Sequence, residues 1–578
     1  MAVVAPAGRR RHGRVKDPAP PRLRGVALAV AAVPFLVHAW VALHGYFGHD
    51  DFIFTYRAAH ADPLDFGYLF QDHNGHLVPG TYLLAWILTA IAPLNYAVAT
   101  IPVLAMHGVV LWLFWLVLTR LFGYRWSLLP AFAVLTASPL ILFPTIWWAY
   151  GMQLLPILIA MAAALLAHLR YLESGSTRHA AHTVGWVLGG LLFNEKAILI
   201  AGVLFMVTVL RGDTVGEALV RHWRVWVAHL AVLAAFVVVS SALTASQAAE
   251  KPVPGKDVAE FAYRAVVDTF LPGILGGPFA APGYGSTWAT PPLAVRVAAV
   301  VLAVAVIVMS RKVAPWLFLA GYLAVDIGTV AVTRLADVGP NIGADPRYLA
   351  DAVPVAMLCA AFAFRDRRDH RLPMIVVAAL LVAGGTVSFV RVAPPLQFRE
   401  ARDYVATANA ALAAQPGIVL YDTTVPNSII LNWFIYDNFT SRVVGLVPAA
   451  PTFDRPAETL YQLDDTGQPQ PITTLTDSVR GEQGPAPDCG YLVKGEPVRI
   501  PLTSPSSGRR VLKFGYYTGD NGDGVVTVGN TRLPVEFHSG LHVMYAVVDG
   551  DYTHVEVSWN RNLRPLCVTD LEIGRPER

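Results

Sequence analysis

Asp50 and Asp51 stand side by side in the stretch Gly48-His49-Asp50-Asp51-Phe52, directly after the first long apolar run. Adjacent carboxylates repel, which can raise one pKa and leave the other as a base. Such a pair suits removal of a proton from a hydroxyl. Tyr56 and Arg57 follow one helical turn on. Three further polar clusters interrupt apolar sequence: Asp72, His73, Asn74 and His76; Glu195 with Lys196 in L-L-F-N-E-K-A; and Asp345-Pro346-Arg347-Tyr348. Fixed cations such as Lys196 and Arg347 suit an anionic leaving group, above all a phosphate. Ionisable groups at a membrane boundary are costly unless paired, hydrated or functional.

Each cluster also has a plainer reading. The acidic pair could mark a helix end, Lys196 could pair locally with Glu195, His73 and His76 could bond within their own loop, and Arg347 with Tyr348 could be an interfacial anchor. The residues demand no cofactor. A divalent cation is compatible with the histidines and carboxylates, but their spacing matches no strong ligand pattern, so no metal ligand is assigned. Asp520, Asn521 and Asp523 begin like a calcium loop but lack the distal Glu, and read as a hairpin turn.

The elements that must position these groups follow from composition. The chain has 578 residues, 54% hydrophobic and only 15% charged, with mean hydropathy +0.47. Soluble domains carry about 25% charged residues, so this is a polytopic α-helical membrane protein with soluble mass attached. The net charge of +3 is small and forms no basic stripe, which speaks against nucleic acid. Residues 1–24 form a basic N-terminus, with Arg9, Arg10, Arg11, Arg14, Lys16, Arg22 and Arg24. The apolar run to about Phe47 is too long for a signal-peptide core and reads as an uncleaved first span.

Apolar segments lie near 25–47, 96–119, 127–147, 151–169, 226–243, 292–310, 314–333, 349–364 and 372–390. Residues 79–92 are apolar but short, and 183–210 is broken at Asn194-Glu195-Lys196. With 79–92 at the interface and 183–210 as two short spans, every basic block falls on the cytoplasmic side. The opposite choice buries Glu195 and Lys196 mid-bilayer, at roughly 2.5–3.5 kcal/mol or more per unpaired charge. The expectation is about 11 spans, N-terminus inside and C-terminus outside. The first outer loop 48–93, the loop 244–291 with Trp288, and residues 393–578 are then extracytoplasmic.

After Arg391 the composition changes. Residues 397–414 read as an amphipathic helix, 417–422 as a strand and 450–490 as connections. From about 491 to 578, short alternating strands at 491–493, 498–502, 510–517, 524–528, 542–548 and 554–559 predict a β-sandwich. Cys489 and Cys567 flank it and can form a disulfide in an oxidising compartment, whereas Cys359 sits in an apolar run.

Residues 20–392 resemble the GT-C superfamily of polytopic glycosyltransferases, which includes protein mannosyltransferases, the aminoarabinose transferase and actinobacterial arabinosyltransferases. The features that carry the resemblance are Asp50-Asp51, the short apolar segment Leu77–Ala92, the lysine of L-L-F-N-E-K-A, and A-D-P-R-Y-L-A-D-A-V-P. It implies a polyprenyl-phosphate sugar donor, an inverting transfer at the outer face, and an aspartate of the first loop as base. Lys196, Arg347 and Tyr348 would bind the donor phosphate. Arg57, Asp72, His73, His76 and Glu195 would contact substrate. The acceptor would be an envelope glycan, lipid or protein, with membrane lipids around the spans. This sequence departs from the family in placing Glu195 before Lys196, where a neutral residue is usual. The C-terminal sandwich is similar to carbohydrate-binding modules of the arabinosyltransferases. Ala-, Val- and Arg-rich, Lys-poor usage resembles high-GC actinobacteria and favours arabinose or mannose on a decaprenyl carrier. A lipid or polysaccharide transporter would need midplane ionisable sites in repeated halves, and only one broken helix is present. A non-catalytic envelope assembly protein would instead work through its sandwich.

Overall fold

A helix needs about 20 apolar residues to cross roughly 30 Å of hydrocarbon. The computed structural model describes residues 20–244, 253–277, 289–560 and 564–577. Arg9 to Lys16 of the basic N-terminus and residues 245–252 and 278–288 of the 244–291 loop, Trp288 included, lie outside the described residues, while the middle of that loop is helical at Gly255–Tyr263, Arg264–Phe270 and Leu271–Ile274. Among the described residues, eight helices meet the length and apolarity needed: Pro21–Leu43, Tyr96–Phe122, Leu128–Ile146, Trp148–Ser174, Trp223–Leu243, Leu293–Ser310, Ala314–Val338 and Arg371–Val392. A ninth is reached if Glu195–Leu210 and Val215–Arg221, bent by 115°, count as one. The remaining expected crossings are short. Thr177–Leu191 has 15 residues, and Leu199–Leu210 and Ala352–Ala363 have 12 each. At 1.5 Å per residue these cover only about 18–22 Å.

The chain forms two compact units. The first takes in Met1–His44, Leu69–Thr81 and Thr100–Gln397, and the second Gly45–Tyr68, Tyr82–Ala99 and Phe398–Arg578. In the first unit the basic blocks meet. Arg125 donates to the carbonyls of Arg365 and Arg367, Arg120 pairs with Glu173, Arg365 donates to the Leu210 carbonyl, and Lys312 pairs with Asp366. The blocks around 120, 173, 211, 312 and 365 therefore share one end of the bundle. Asp351 and Arg365 lie beyond opposite ends of the Ala352–Ala363 helix, about 18 Å long.

Lipid tails are as apolar as leucine, so membrane helices associate where small residues let backbones approach. Gly385 does this between Arg371–Val392 and Leu128–Ala137: a Cβ there would lie 1.9 Å from the Ala137 carbonyl oxygen. Nearby, Ser388 Oγ donates to the Gly277 carbonyl at 2.5 Å. Gly385→Val is expected to destabilise the bundle by about 1–3 kcal/mol. Thermal unfolding in detergent checks this, and an unchanged midpoint would mean the two helices do not pack here.

In the second unit, helices Asp50–Ala59 and Arg399–Ala414 accompany a β-rich region. Two two-residue strands in the first unit, β1 (Asp72–His73) and β2 (His76–Leu77), come earlier in the chain. A four-stranded sheet holds β3 (Val419–Leu420), β4 (Thr452–Phe453), β5 (Leu460–Leu463) and β6 (Pro469–Pro471) in the order β4-β3-β5-β6. The sandwich comprises β7 (Leu475–Arg480), β8 (Tyr491–Val493), β9 (Val498–Ser507), β10 (Arg510–Thr518), β11 (Gly522–Val528), β12 (Thr531–Phe537), β13 (Gly540–Val548), β14 (Asp551–Trp559) and β15 (Leu566–Pro576). Its sheets run β13-β10-β15-β7, with β8 also on β15, and β12-β11-β14-β9, all antiparallel. Alternation aims Leu512, Phe514 and Tyr516 of β10 inward against Val526, Phe537 and Trp559. Leu460 and Ile472 of the smaller sheet region pack with Val511, Tyr545 and Val547 on the other face.

Three sequence readings change. Residues 450–490 contain β4 to β7, so the sandwich starts at Leu475. The turn at Asp520 to Asp523 joins β10 to β11, which belong to different sheets, so it is an arch between sheets and not a hairpin. Strands β12 and β15 join those expected. Cys489 and Cys567 form a disulfide that ties the turn before β8 to β15, and Cys359 is buried and free.

Candidate functional site

The break after Thr177–Leu191 is built by Asn194. Its extended backbone leaves the helix, and its side-chain oxygen accepts the Lys196 N–H at 3.1 Å, starting the turn Glu195–Ile198. Asn194 Nδ2 donates to Gln153 Oε1 at 3.2 Å. This turn aims Lys196 inward. Its ammonium donates to Asp326 Oδ1 at 2.8 Å, Asp351 Oδ1 at 2.6 Å and the Tyr348 carbonyl at 2.6 Å. An ammonium has three protons, and three acceptors meet them. Both carboxylates are buried, and the second Asp351 oxygen accepts the Tyr322 hydroxyl at 2.8 Å.

Lys196 therefore has no local pair with Glu195. Glu195 Oε1 lies 2.7 Å from His76 Nδ1, and His76 Nε2 lies 2.9 Å from Arg334 Nη2, which also donates to the Asn74 carbonyl at 2.8 Å. Arginine only donates, so Nε2 accepts and Nδ1 carries the proton toward Glu195. His76 is thus not confined to bonds within its loop. The loop itself is a hairpin: Asn74 and Gly75 both have positive φ, as a two-residue Asn-Gly turn requires, and Asp72 Oδ1 accepts the Gly75 N–H at 2.5 Å. The turn sets His73, which is buried, directly across from His76.

Asp345 starts the next turn by accepting the Arg347 N–H at 3.1 Å, and its other oxygen lies 2.9 Å from Arg347 Nε. The Arg347 guanidinium lies over the Trp147 ring at 5.2 Å and the Tyr348 ring at 4.9 Å, and donates to the Tyr348 hydroxyl at 3.1 Å. The Tyr150 hydroxyl donates to the Arg347 carbonyl. A planar cation held this way, with 30% of its side chain exposed, is a rigid donor array for an oxyanion.

The second unit holds Asp50, Asp51 and Arg57 on one helix, Asp50–Ala59. Carboxylates in a first turn favour the helix dipole. Asp51 is fully buried, and its Oδ2 accepts the Gly48 N–H at 2.9 Å, while Asp50 is half-buried. Gly48 is required because the Phe398 ring lies 2.4 Å from where its Cβ would be. The His49 N–H donates to the Ile429 carbonyl at 2.7 Å. Arg57 donates to the Tyr82 hydroxyl at 3.1 Å and to Asp437 Oδ2 at 2.7 Å. Burial alone would lower its pKa, but Tyr82 and Asp437 outweigh that and hold it raised. Arg442 lies over the Tyr56 ring at 4.1 Å and 3.4 Å from Asp437 Oδ1.

The first unit thus gathers Lys196 with Tyr348, Arg347 with Tyr348, and Glu195 with His76. Asp326, Asp351, Tyr322, Arg334 and Tyr150 join them, and Asp437 and Tyr82 join Arg57. Asp326 could have been found as a lone carboxylate in an apolar run, and Asp351 as part of R-Y-L-A-D. Among the described residues no group of three or more His, Cys, Asp or Glu is arranged to hold a metal ion.

No protein-family model matches the chain, and no curated protein does. Among solved structures it is similar to ArnT from Cupriavidus metallidurans bound to undecaprenyl phosphate, at 13% identity and TM-score 0.44, over 76% of this chain and 94% of that one. It is similar to the arabinofuranosyltransferase AftD from mycobacteria, at 11% identity and TM-score 0.38, over 97% of this chain and 59% of that one. The arabinosyltransferase EmbB from Mycobacterium smegmatis gives 12% identity and TM-score 0.30, over 98% of this chain and 66% of that one. The chain thus spans less than two thirds of the length of AftD and of EmbB.

Proposed function

We propose that this chain is a membrane glycosyltransferase that moves a sugar from a polyprenyl-phosphate donor to an envelope glycan, lipid or protein acceptor on the extracytoplasmic face, with inversion. The observation that carries it is the unequal environment of the acidic pair. Asp51 is buried and fixes the start of its helix, while Asp50 is half-buried beside it. Asp50 then serves as the base. The acceptor oxygen bonds to the anomeric carbon, the bond from that carbon to the phosphate oxygen breaks, and the acceptor proton passes to the Asp50 carboxylate. The polyprenyl phosphate leaves as an anion, and a single displacement inverts the centre. Arg347 and Tyr348 receive the phosphate charge. Lys196 holds the Tyr348 backbone in place, Glu195 and His76 orient Arg334, Asp72 shapes the hairpin that carries His73, and Arg57 fixes the acidic helix.

The shared end of the basic blocks supports a cytoplasmic N-terminus, and the Cys489–Cys567 disulfide supports an extracytoplasmic C-terminal domain. The test uses the full chain in nanodiscs with decaprenyl-phosphate arabinose and decaprenyl-phosphate mannose. Acceptor-dependent release of polyprenyl phosphate, with an inverted anomeric centre, is expected from one of them. Donor binding without consumption, or donor crossing a vesicle bilayer intact, overturns the proposal in favour of transport.

A further inference from the structure

The segment Leu431 to Asp437 puts apolar rings and an aliphatic side chain into the open. Trp433 is 53% exposed, Ile435 61% and Tyr436 81%. The segment is closed by its own backbone bonds: the N–H groups of Asp437 and Asn438 donate to the Phe434 carbonyl at 2.8 and 2.9 Å, and Asn432 N–H donates to Asn427 Oδ1 at 2.8 Å. These side chains are therefore held outward by a formed turn. Asp437 at its end binds Arg57, and the same guanidinium binds the Tyr82 hydroxyl. Tyr82 belongs to the Pro79–Ile91 helix, whose Leu83, Ile87 and Ile91 are exposed at four-residue spacing and so line one face.

Chain connection ties this second unit to three spans within a few residues of each. Gly45 lies two residues after the span Pro21–Leu43, Tyr96 to Ala99 begin the span Tyr96–Phe122, and Phe398 lies six residues after the span Arg371–Val392. Trp and Tyr concentrate at the membrane–water boundary, where an apolar ring and a polar tip both find their medium.

We propose that Trp433, Ile435 and Tyr436 dip into the lipid–water interface and, joined through Arg57 to the Leu83-Ile87-Ile91 face, seat the acidic helix at the membrane surface. This holds whether or not the chain is a transferase. It can be read with single cysteines, because Cys359 is buried and Cys489 is paired with Cys567. An environment-sensitive fluorophore is attached to Tyr436→Cys in the full chain, in phosphatidylcholine vesicles with and without doxyl-labelled lipid. Leu36→Cys, exposed on the first span, gives the lipid reference, and Asn530→Cys, exposed on the sandwich, gives the water reference. Doxyl lipid is expected to quench the label at 436 several-fold more than at 530, and Ile435→Cys is expected to agree. Quenching at both 435 and 436 no greater than at 530 overturns the proposal. Shielding of the label by a soluble arabinan or mannan fragment, without lipid quenching, overturns it in favour of an acceptor platform.

Discussion

Asp50→Asn is expected to cut turnover about 10²- to 10⁴-fold, the usual contribution of a positioned general base. That loss corresponds to ~3–5 kcal/mol of transition-state stabilisation. The amide keeps the shape of the side chain and cannot take a proton from the acceptor hydroxyl. Donor affinity is expected to stay within a few-fold, because the proposed mechanism assigns phosphate recognition to Arg347 and Tyr348. Asp51→Asn is expected to behave differently. Its oxygen can still accept the Gly48 N–H now bound at 2.9 Å, so the helix start survives and activity falls far less. The measurement is release of polyprenyl phosphate under saturating donor, with donor binding determined separately. The reverse ranking would assign the base to Asp51. Full activity in both variants would remove the pair from the chemistry altogether.

Lys196→Met is expected to destabilise the first unit by about 3–5 kcal/mol, the cost of leaving a buried charge without its partner. Two carboxylates, Asp326 and Asp351, would lose the one ammonium they share. The Tyr348 carbonyl would lose its donor as well. Replacing all three charges, Lys196→Met with Asp326→Asn and Asp351→Asn, is expected to recover much of the loss, since a neutral site needs no counter-charge. Thermal unfolding in detergent gives the stabilities. Donor affinity separates two roles. If Lys196→Met keeps its stability yet loses donor affinity more than about tenfold (~1.4 kcal/mol), the ammonium grips the phosphate itself.

Much of the membrane unit is written in runs of apolar residues, because length and hydropathy alone decide what can cross a bilayer. The short segments 183–191, 199–210 and 352–363 are apolar too, and composition alone does not separate a crossing from a part-crossing. In the sandwich, strands with inward Val, Phe and Trp announce themselves by alternation. Strand β12 carries Pro534, which argues against a central strand and fits the sheet edge it occupies. Strands β4 to β6 are two to four residues long, too short for a period to register. The acidic pair and Arg347 stood out by type. Their settings did not, because Lys196 finds its carboxylates 130 and 155 residues away and Arg57 finds Asp437 across 380. Asn74-Gly75, by contrast, is a hairpin signal legible in the chain itself.

The Arg57–Asp437 contact has a consequence for how the protein is made. Arg57 leaves the ribosome 380 residues ahead of its carboxylate. At about 5–20 residues per second, that gap lasts roughly 20–75 s. Throughout it the helix bearing Asp50 waits without its clamp while later spans are still being inserted. A nascent chain arrested before residue 437 would present that helix unsecured, so its clamp closes only after the span Arg371–Val392 has been synthesised.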